Sequence, residues 1–161
     1  MPKLIKNNTA QAYTWQQHTD ESLQGADLSQ GQHLVPLTAW LENSKNWGDN
    51  VGVIIPTDAD PSSLTSALNK APAIAISFGA FADGRGFSLA RILREDCDYQ
   101  GELQAAGGYM QDQLFYLKRC GFDSYVVEDD ADIESMLESL GDFSDSYQAS
   151  SDEPRPLFRR R

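Results

Sequence analysis

A parallel α/β sheet covered by helices is the fold class that this sequence predicts, and three observations carry it. Short β-rich runs alternate with segments of i, i+3, i+4 apolar spacing, which is the signature of βα units. A chain of 161 residues, 40% hydrophobic and 10% aromatic, can bury one core and is too short for a full eightfold barrel of about 250 residues. About five units fit that length, and parallel strands need crossover elements of the kind the helical segments supply.

Taken in order, the segment from Leu4 to Gln16 alternates around Asn7-Asn8 and reads as a small hairpin on a sheet edge. Leu34-Val35-Pro36-Leu37 is the first strand of the series, and Thr38 is placed to cap a helix carrying Trp40, Leu41 and Trp47. Val51–Ile55 is a buried strand. Asp60-Pro61 pairs an N-cap with a proline at the first helical position, and Leu64, Ala67 and Leu68 follow as the stripe of a second helix. Ala73–Phe78 is a strand, with Leu89, Ile92 and Leu93 on the helix after it. Glu102–Ala105 is placed as a strand by its position between two helices, and the next helix carries Met110, Leu114 and Leu117 and ends at Gly121. Ser124–Val127 is the last strand; Ile133, Met136, Leu137 and Leu140 mark the last helix before Gly141.

Val51–Ile55, Ala73–Phe78 and Tyr125–Val127 are expected as neighbouring or near-neighbouring parallel strands. An open doubly wound sheet is the first expectation for their arrangement. The alternative is a half-barrel that pairs with a second copy as a homodimer, since the chain holds about half the units of a full barrel. Residues 1–148 form a single domain in this reading, and residues 149–161 form an extended tail. That tail, ending Pro154-Arg155-Pro156-Leu157-Phe158-Arg159-Arg160-Arg161, reads either as a solvated terminus or as an apolar anchor whose arginines lie on the acidic segment or a partner.

Charge narrows the partners. Thirteen Lys and Arg face twenty-four Asp and Glu, for a net charge of -11. Eleven of the acids, with no base among them, lie between Gly121 and Pro154, so the whole excess sits there. Nucleic acid and anionic membrane are poor partners for such a chain. No apolar run approaches the 18 or so residues of a membrane span, and the opening Met1-Pro2-Lys3-Leu4-Ile5-Lys6 lacks a signal peptide's apolar stretch, so a cytoplasmic protein is expected.

In a parallel α/β sheet the loops after the strands share one face, where ligands bind. The most unusual of these is Phe81-Ala82-Asp83-Gly84-Arg85-Gly86-Phe87-Ser88, with two glycines flanking an arginine just before a helix. Glycine lets backbone N–H groups approach a ligand, and a helix start carries partial positive charge. Gly84, Arg85, Gly86 and Ser88 therefore suit a small anion such as phosphate, sulfate or a carboxylate. A tight turn with Arg85 paired to Asp83 or a neighbouring acid is the competing reading. Asp112-Gln113 opens the fourth helix; Asp112 either caps it or stands beside the arginine loop as a base, with Gln113 as a ligand contact. A small enzyme would use Asp83 or Asp112 as its acid/base group on an anion held by Arg85. Arg91 and Arg94 read as surface or interface residues paired with Glu95 and Glu102.

Metal and redox ligands are not indicated. Cys97 and Cys120 have no C-x-x-C spacing, and Cys120, at a helix C-terminus, reads as a buried structural thiol. His18 and His33 lack the spacing of a zinc site or a Ser-His-Asp triad. No cofactor fingerprint is evident.

The run Asp83-Gly84-Arg85-Gly86-Phe87-Ser88-Leu89-Ala90-Arg91, then Gly101-Glu102-Leu103-Gln104-Ala105, Asp112-Gln113-Leu114 and Arg119-Cys120-Gly121-Phe122-Asp123, resembles the bacterial domain of unknown function 934. The resemblance extends to Tyr147-Gln148 and the Pro156-Leu157-Phe158-Arg159-Arg160-Arg161 ending. Gln104 stands where that family's Gly-Glu-Leu-Arg-Ala run carries arginine. Members are often labelled probable oxidoreductases of sulfite reduction because they accompany assimilatory sulfite reductase genes. The resemblance therefore implies a place in sulfur assimilation, with sulfite reductase or its electron donor as partner. Sulfite reduction needs sirohaem, an iron–sulfur cluster or a flavin donor, whose ligand patterns this sequence does not display. An accessory or binding protein is thus expected ahead of a self-sufficient reductase.

Overall fold

Asn7 and Asn8 both adopt positive φ, 55° and 62°, the geometry of a two-residue turn, and the chain reverses between β1 (Lys3–Lys6) and β2 (Thr9–Ala12). The structure, a computed structural model, describes residues 2–79, 84–109 and 111–140, the side chains of Ser44 and Asp112 excepted. Met110 and Gly141, assigned above to helix positions, lie outside the described residues, as does the tail. After the hairpin come β3 (Trp15–Gln17), β4 (Gln32–Pro36), β5 (Val51–Pro56), β6 (Ala73–Phe78), β7 (Glu102–Gly107) and β8 (Ser124–Val127). They form one sheet in the order β2-β1-β8-β7-β6-β5-β4-β3.

The sheet is mixed. Strands β3 to β8 run parallel, while β1 pairs antiparallel with both β8 and β2. The expected parallel relation of Val51–Ile55, Ala73–Phe78 and Tyr125–Val127 holds, with β7 between the last two. The doubly wound arrangement does not. From β3 to β8 each strand lies beside its predecessor, so every right-handed crossover advances the same way and falls on one face. The architecture is the curled half-barrel that stood as the alternative.

Five helices are present among the described residues: α1 (Asp20–Leu23), α2 (Leu37–Asn43), α3 (Gly84–Arg91), α4 (Leu114–Cys120) and α5 (Ile133–Leu140). The helix expected after Asp60-Pro61 is replaced by two 3₁₀ turns, Pro61–Ser63 and Ser66–Lys70. Asp60 caps the first as expected, but Thr65 is extended and its hydroxyl starts a second turn at Ala67, which breaks the run. Leu64 and Leu68 reach the core all the same. A count of five βα units therefore fails at this connection, and β3 adds a strand that three polar-flanked residues did not signal. Beyond α3 the coil widens into a π-type turn over Ile92–Asp96, with Cys97 N–H on the Ile92 carbonyl at 3.0 Å. At the end of α4, Gly121 takes φ 115° and donates to the Leu117 and Lys118 carbonyls.

Period-two alternation divides the sheet into two faces. Val53, Ile55, Ile74, Ile76, Leu103 and Ala105 meet the helices, where Leu89, Leu93, Leu114 and Leu117 complete the main core. The other face is concave and gathers Trp15, Leu34, Ala73 and Ala75 into a separate cluster. Leu34, Ala73, Ala75, Gln104 and Ser124 are all 0% exposed there. Curvature explains this burial: β2 and β3 are opposite edges, yet only Tyr13 and Thr14 separate them, which limits Ala12 and Trp15 to about 11 Å apart. The Thr14 hydroxyl bonds the Gln32 side chain on β4. Tyr13 donates to Gln104 at 3.2 Å, Gln104 to Glu102 at 3.1 Å, Ser124 to Glu102 at 2.9 Å, and Lys6 to Glu102 at 3.2 Å, so the buried polar groups satisfy one another.

Arg94 was expected at the surface and instead fastens the amino ends of β7 and β8. It donates to the carbonyls of Gly121 at 2.9 Å, Tyr99 at 2.8 Å and Gly101 at 2.8 Å, and stands 3.5 Å from the Asp123 carboxylate. The Glu102 carboxylate takes Lys6 as its cation instead. The π-type turn places Arg94 over loops that would otherwise leave carbonyls unbonded. Arg91 lies close enough to Cys120 and Tyr116 to interact with both. Replacing Arg94 by alanine removes several charge-assisted bonds and is expected to cost about 2–3 kcal/mol of stability, measured by urea unfolding.

His18 and His33 are both buried, and their rings meet with Nε2 of His18 2.9 Å from Nδ1 of His33. Nε2 of His33 lies 2.6 Å from the Gln30 carbonyl and must be its donor, so Nδ1 of His33 accepts from Nε2 of His18. Burial, and then the His33 charge, lower the His18 pKa. The unfolded chain then binds protons more readily than the folded one below the ordinary histidine value of about 6.5. Stability is accordingly expected to fall as pH drops through and below that value, and the urea midpoint of a His18→Asn variant is expected to lose this slope.

Candidate functional site

The carboxyl ends of β4 to β8 share one edge, and Phe78 organises its centre. Its ring meets Phe87 at 5.6 Å, Tyr109 at 6.4 Å and Phe122 at 6.0 Å, while Phe87 meets Tyr116 of α4 edge-to-face at 4.8 Å. Gly107, at φ 90°, lies so close that a Cβ would stand 2.1 Å from the Phe78 carbonyl oxygen, the acceptor of the Gly108 N–H. Tyr109 donates to the Val126 carbonyl at 2.6 Å, and burial raises its phenol well above the ordinary value. This aromatic plate is what the first turn of α3 rests on.

Gly84, Arg85 and Gly86, expected in a loop just ahead of the helix, instead form its first turn, with Ser88 following, and their roles divide. Gly86 is buried, and a Cβ on it would stand 2.3 Å from the Phe78 ring and 3.0 Å from the Thr57 methyl. It is therefore the packing glycine that seats α3 over the ends of β5 and β6. Gly84 has nothing within 4 Å of its Cβ position and is exposed, as are Arg85 and Ser88. Gln113 is half-buried at the start of α4, on an αR backbone without a side-chain capping bond. The Phe87–Tyr116 contact holds α3 beside α4, so both expected sites occupy neighbouring helices. Asp83 and the Asp112 side chain, the expected acid/base groups, lie outside the described residues.

Two grooves were not foreseen. One, of about 580 Å³, opens at the carboxyl ends of β4, β5 and β6, with Leu37, Leu41, Ile54, Pro56 and Ala59 in its apolar wall and Asp20 and Asp60 on its rim. Its signal in the sequence was slight, because Leu41 reads as one more position in a helical stripe. The other, of about 500 Å³, lies at the amino edge among Ile5, Phe122, Tyr125 and Leu140, with Lys6, Arg94 and Lys118 beside it.

Among the described residues no group of three His, Cys, Asp or Glu side chains stands together to hold a metal ion, and no helix is long and apolar enough to cross a membrane. Cys120 is fully buried, and burial pushes its thiol up against the opposing pull of Arg91. Cys97, also buried, donates to the Leu64 carbonyl at 3.3 Å. Both thiols serve the interior.

The fold and edge define an α/β half-barrel protein whose strand-to-helix loops gather around an aromatic plate. Within that class, the chain belongs to a family of bacterial proteins of unknown function, DUF934, whose model matches residues 52–158. No curated protein and no solved structure matches it. The match takes in α3, α4 and the aromatic plate, and it leaves out the hairpin, β3 and β4.

The two glycines of the α3 start separate in a simple experiment. Gly86→Ala is expected to destabilise the protein by roughly 1–3 kcal/mol, since an added methyl meets a fixed ring. Gly84→Ala is expected to leave the thermal midpoint within a degree or two, because the position is open and alanine favours a helix.

Proposed function

We propose that the protein is a cytoplasmic accessory protein of assimilatory sulfite reduction that binds a small oxyanion at the start of α3 and works beside sulfite reductase or its electron donor. One observation supports the anion reading above the rest: Gly86, seated on Phe78 and Thr57, fixes the first turn of α3 at the carboxyl edge and leaves Gly84, Arg85 and Ser88 facing solvent. The first N–H groups of a helix lack intrahelical partners, and the helix dipole adds partial positive charge there. Arg85 brings a guanidinium to the same turn and Ser88 a hydroxyl. A net charge of -11 repels anions at long range, but that field is screened over about 8 Å at physiological salt, so a local cationic turn suffices. The sulfur-assimilation part rests on the family resemblance and makes sulfite or sulfate the first anions to try.

A thermal-shift titration with sulfite, sulfate and phosphate is the direct experiment. At least one of the three is expected to stabilise the wild type, and Arg85→Ala to abolish the effect, since charge-assisted bonds of roughly 1.5–3 kcal/mol are lost. Lys118→Ala, at the opposite edge, is expected to respond as the wild type does. Failure of all three anions to stabilise the wild type, together with failure to co-purify with sulfite reductase or its donor, would overturn the reading.

A further inference from the structure

The groove at the carboxyl ends of β4 to β6 is an apolar surface facing solvent. Leu41, in its wall, is 43% exposed, and only it and Tyr116 are exposed large apolar side chains among the described residues. Tyr116 is accounted for by its edge-to-face contact with Phe87. Leu41 has no such partner ring, and Ile54 and Pro56 extend the same surface onto the sheet. Acids border it: Asp20 and Asp60 on the rim, with Asp58 exposed on the same loop. Hydrogen bonds from Ser62 hold the Asp60 carboxyl below its ordinary range, so the rim stays negative at neutral pH.

A groove with an apolar floor and an anionic rim calls for a short segment with adjacent apolar side chains followed by cations. The chain carries one such segment, Pro156-Leu157-Phe158-Arg159-Arg160-Arg161. We infer that this tail docks in the carboxyl-edge groove of its own chain, with Leu157 and Phe158 against Leu41, Ile54 and Pro56 and the arginines toward Asp20 and Asp60.

Three further observations support that occupant. The family match does not stop at the last helix but runs on to Phe158, so the two apolar residues belong to the family's common sequence. Reach is sufficient: the sixteen residues from Leu140 to Pro156 span up to about 50 Å when extended, against a radius of gyration of about 14 Å for a domain of this size. Charge also discriminates between the two grooves. The lining of the carboxyl-edge groove holds Asp20 and Asp60, which attract an arginine-rich ending, whereas at the amino-edge groove Lys6 and Arg94 are already met by Glu102 and Asp123 and Lys118 adds a further cation.

Disulfide trapping in the full chain tests the docking without reference to anion binding. The native thiols, Cys97 and Cys120, are buried, so introduced cysteines dominate the reaction. A disulfide requires Cα atoms within about 7 Å, which makes closure a distance measurement. Under oxidised glutathione, the Leu41→Cys/Leu157→Cys protein is expected to form an intramolecular disulfide at least tenfold faster than Lys118→Cys/Leu157→Cys, at a rate independent of protein concentration. Adding Asp60→Lys or Phe158→Ser to the first pair is expected to slow closure several-fold. Equal rates for the two pairs overturn the proposal. Disulfide-linked dimers whose yield rises with concentration overturn it too, and assign the groove to the tail of a second copy.

Discussion

Two residues, Tyr13 and Thr14, impose the constraint on which the rest of this molecule depends. They join strands at opposite edges of an eight-stranded sheet, and so short a link allows no flat arrangement. Curling follows, and with it a concave face too narrow for covering helices. Side chains have to fill that face themselves. Leu34, Ala73 and Ala75 do so with apolar bulk, while Gln104, Ser124 and Glu102 do so as a connected polar set that Tyr13 reaches from the link itself. Gly52 belongs to the same constraint, since a Cβ there would stand 2.3 Å from the Ala73 carbonyl oxygen.

The two sheet edges carry different chemistry as a result. Crossovers on a single face deliver every helix start to the carboxyl edge, where Phe78 and its ring partners form a rigid plate and Gly86 lowers α3 onto it. The amino edge is fastened from within by Arg94, which takes three carbonyls and one carboxylate near the entries to β7 and β8. Rigidity at one edge frees the other to present exposed polar groups on fixed backbone, the arrangement that binding sites require.

Much of the sheet was legible because buried parallel strands are short continuous apolar runs. Ala73–Phe78 and Ser124–Val127 coincide with β6 and β8 to the residue, and Gly121 ends α4 through the left-handed conformation that glycine permits. The strand Trp15-Gln16-Gln17 was not legible, since two of its three residues are polar and its pairing depends on the curvature rather than on its own pattern. Thr65 disguised the 3₁₀ connection, because a residue that caps a new turn looks harmless inside an i, i+3, i+4 stripe. Curling itself left no local mark; it arises from where the hairpin attaches. At the site, the sequence placed Gly84 to Gly86 in a loop ahead of the helix rather than in its first turn, and did not separate Gly86 from Gly84, a distinction made by the Phe78 ring eight residues away. His18 and His33 carry no metal spacing and still find each other, through backbone pairing that sets His18 N–H on the Leu34 carbonyl.

The attachment of the hairpin bears on how the chain is made. β1 can pair with β2 as soon as the hairpin is made, yet its other partner is β8, with Lys3 opposite Val127 and Lys6 opposite Ser124. Successive strands from β3 onward can pair with neighbours already translated, but the second edge of β1 waits until β8 has been made. Such a long loop closure makes this pairing a late event in folding. Until then β1, paired with β2 on one side, keeps its other edge open, and Leu4 and Ile5, both buried in the finished fold, stand uncovered beside it. Lys3 and Lys6, one at each end of the strand, supply the charges that keep such an edge from joining the wrong neighbour while it waits.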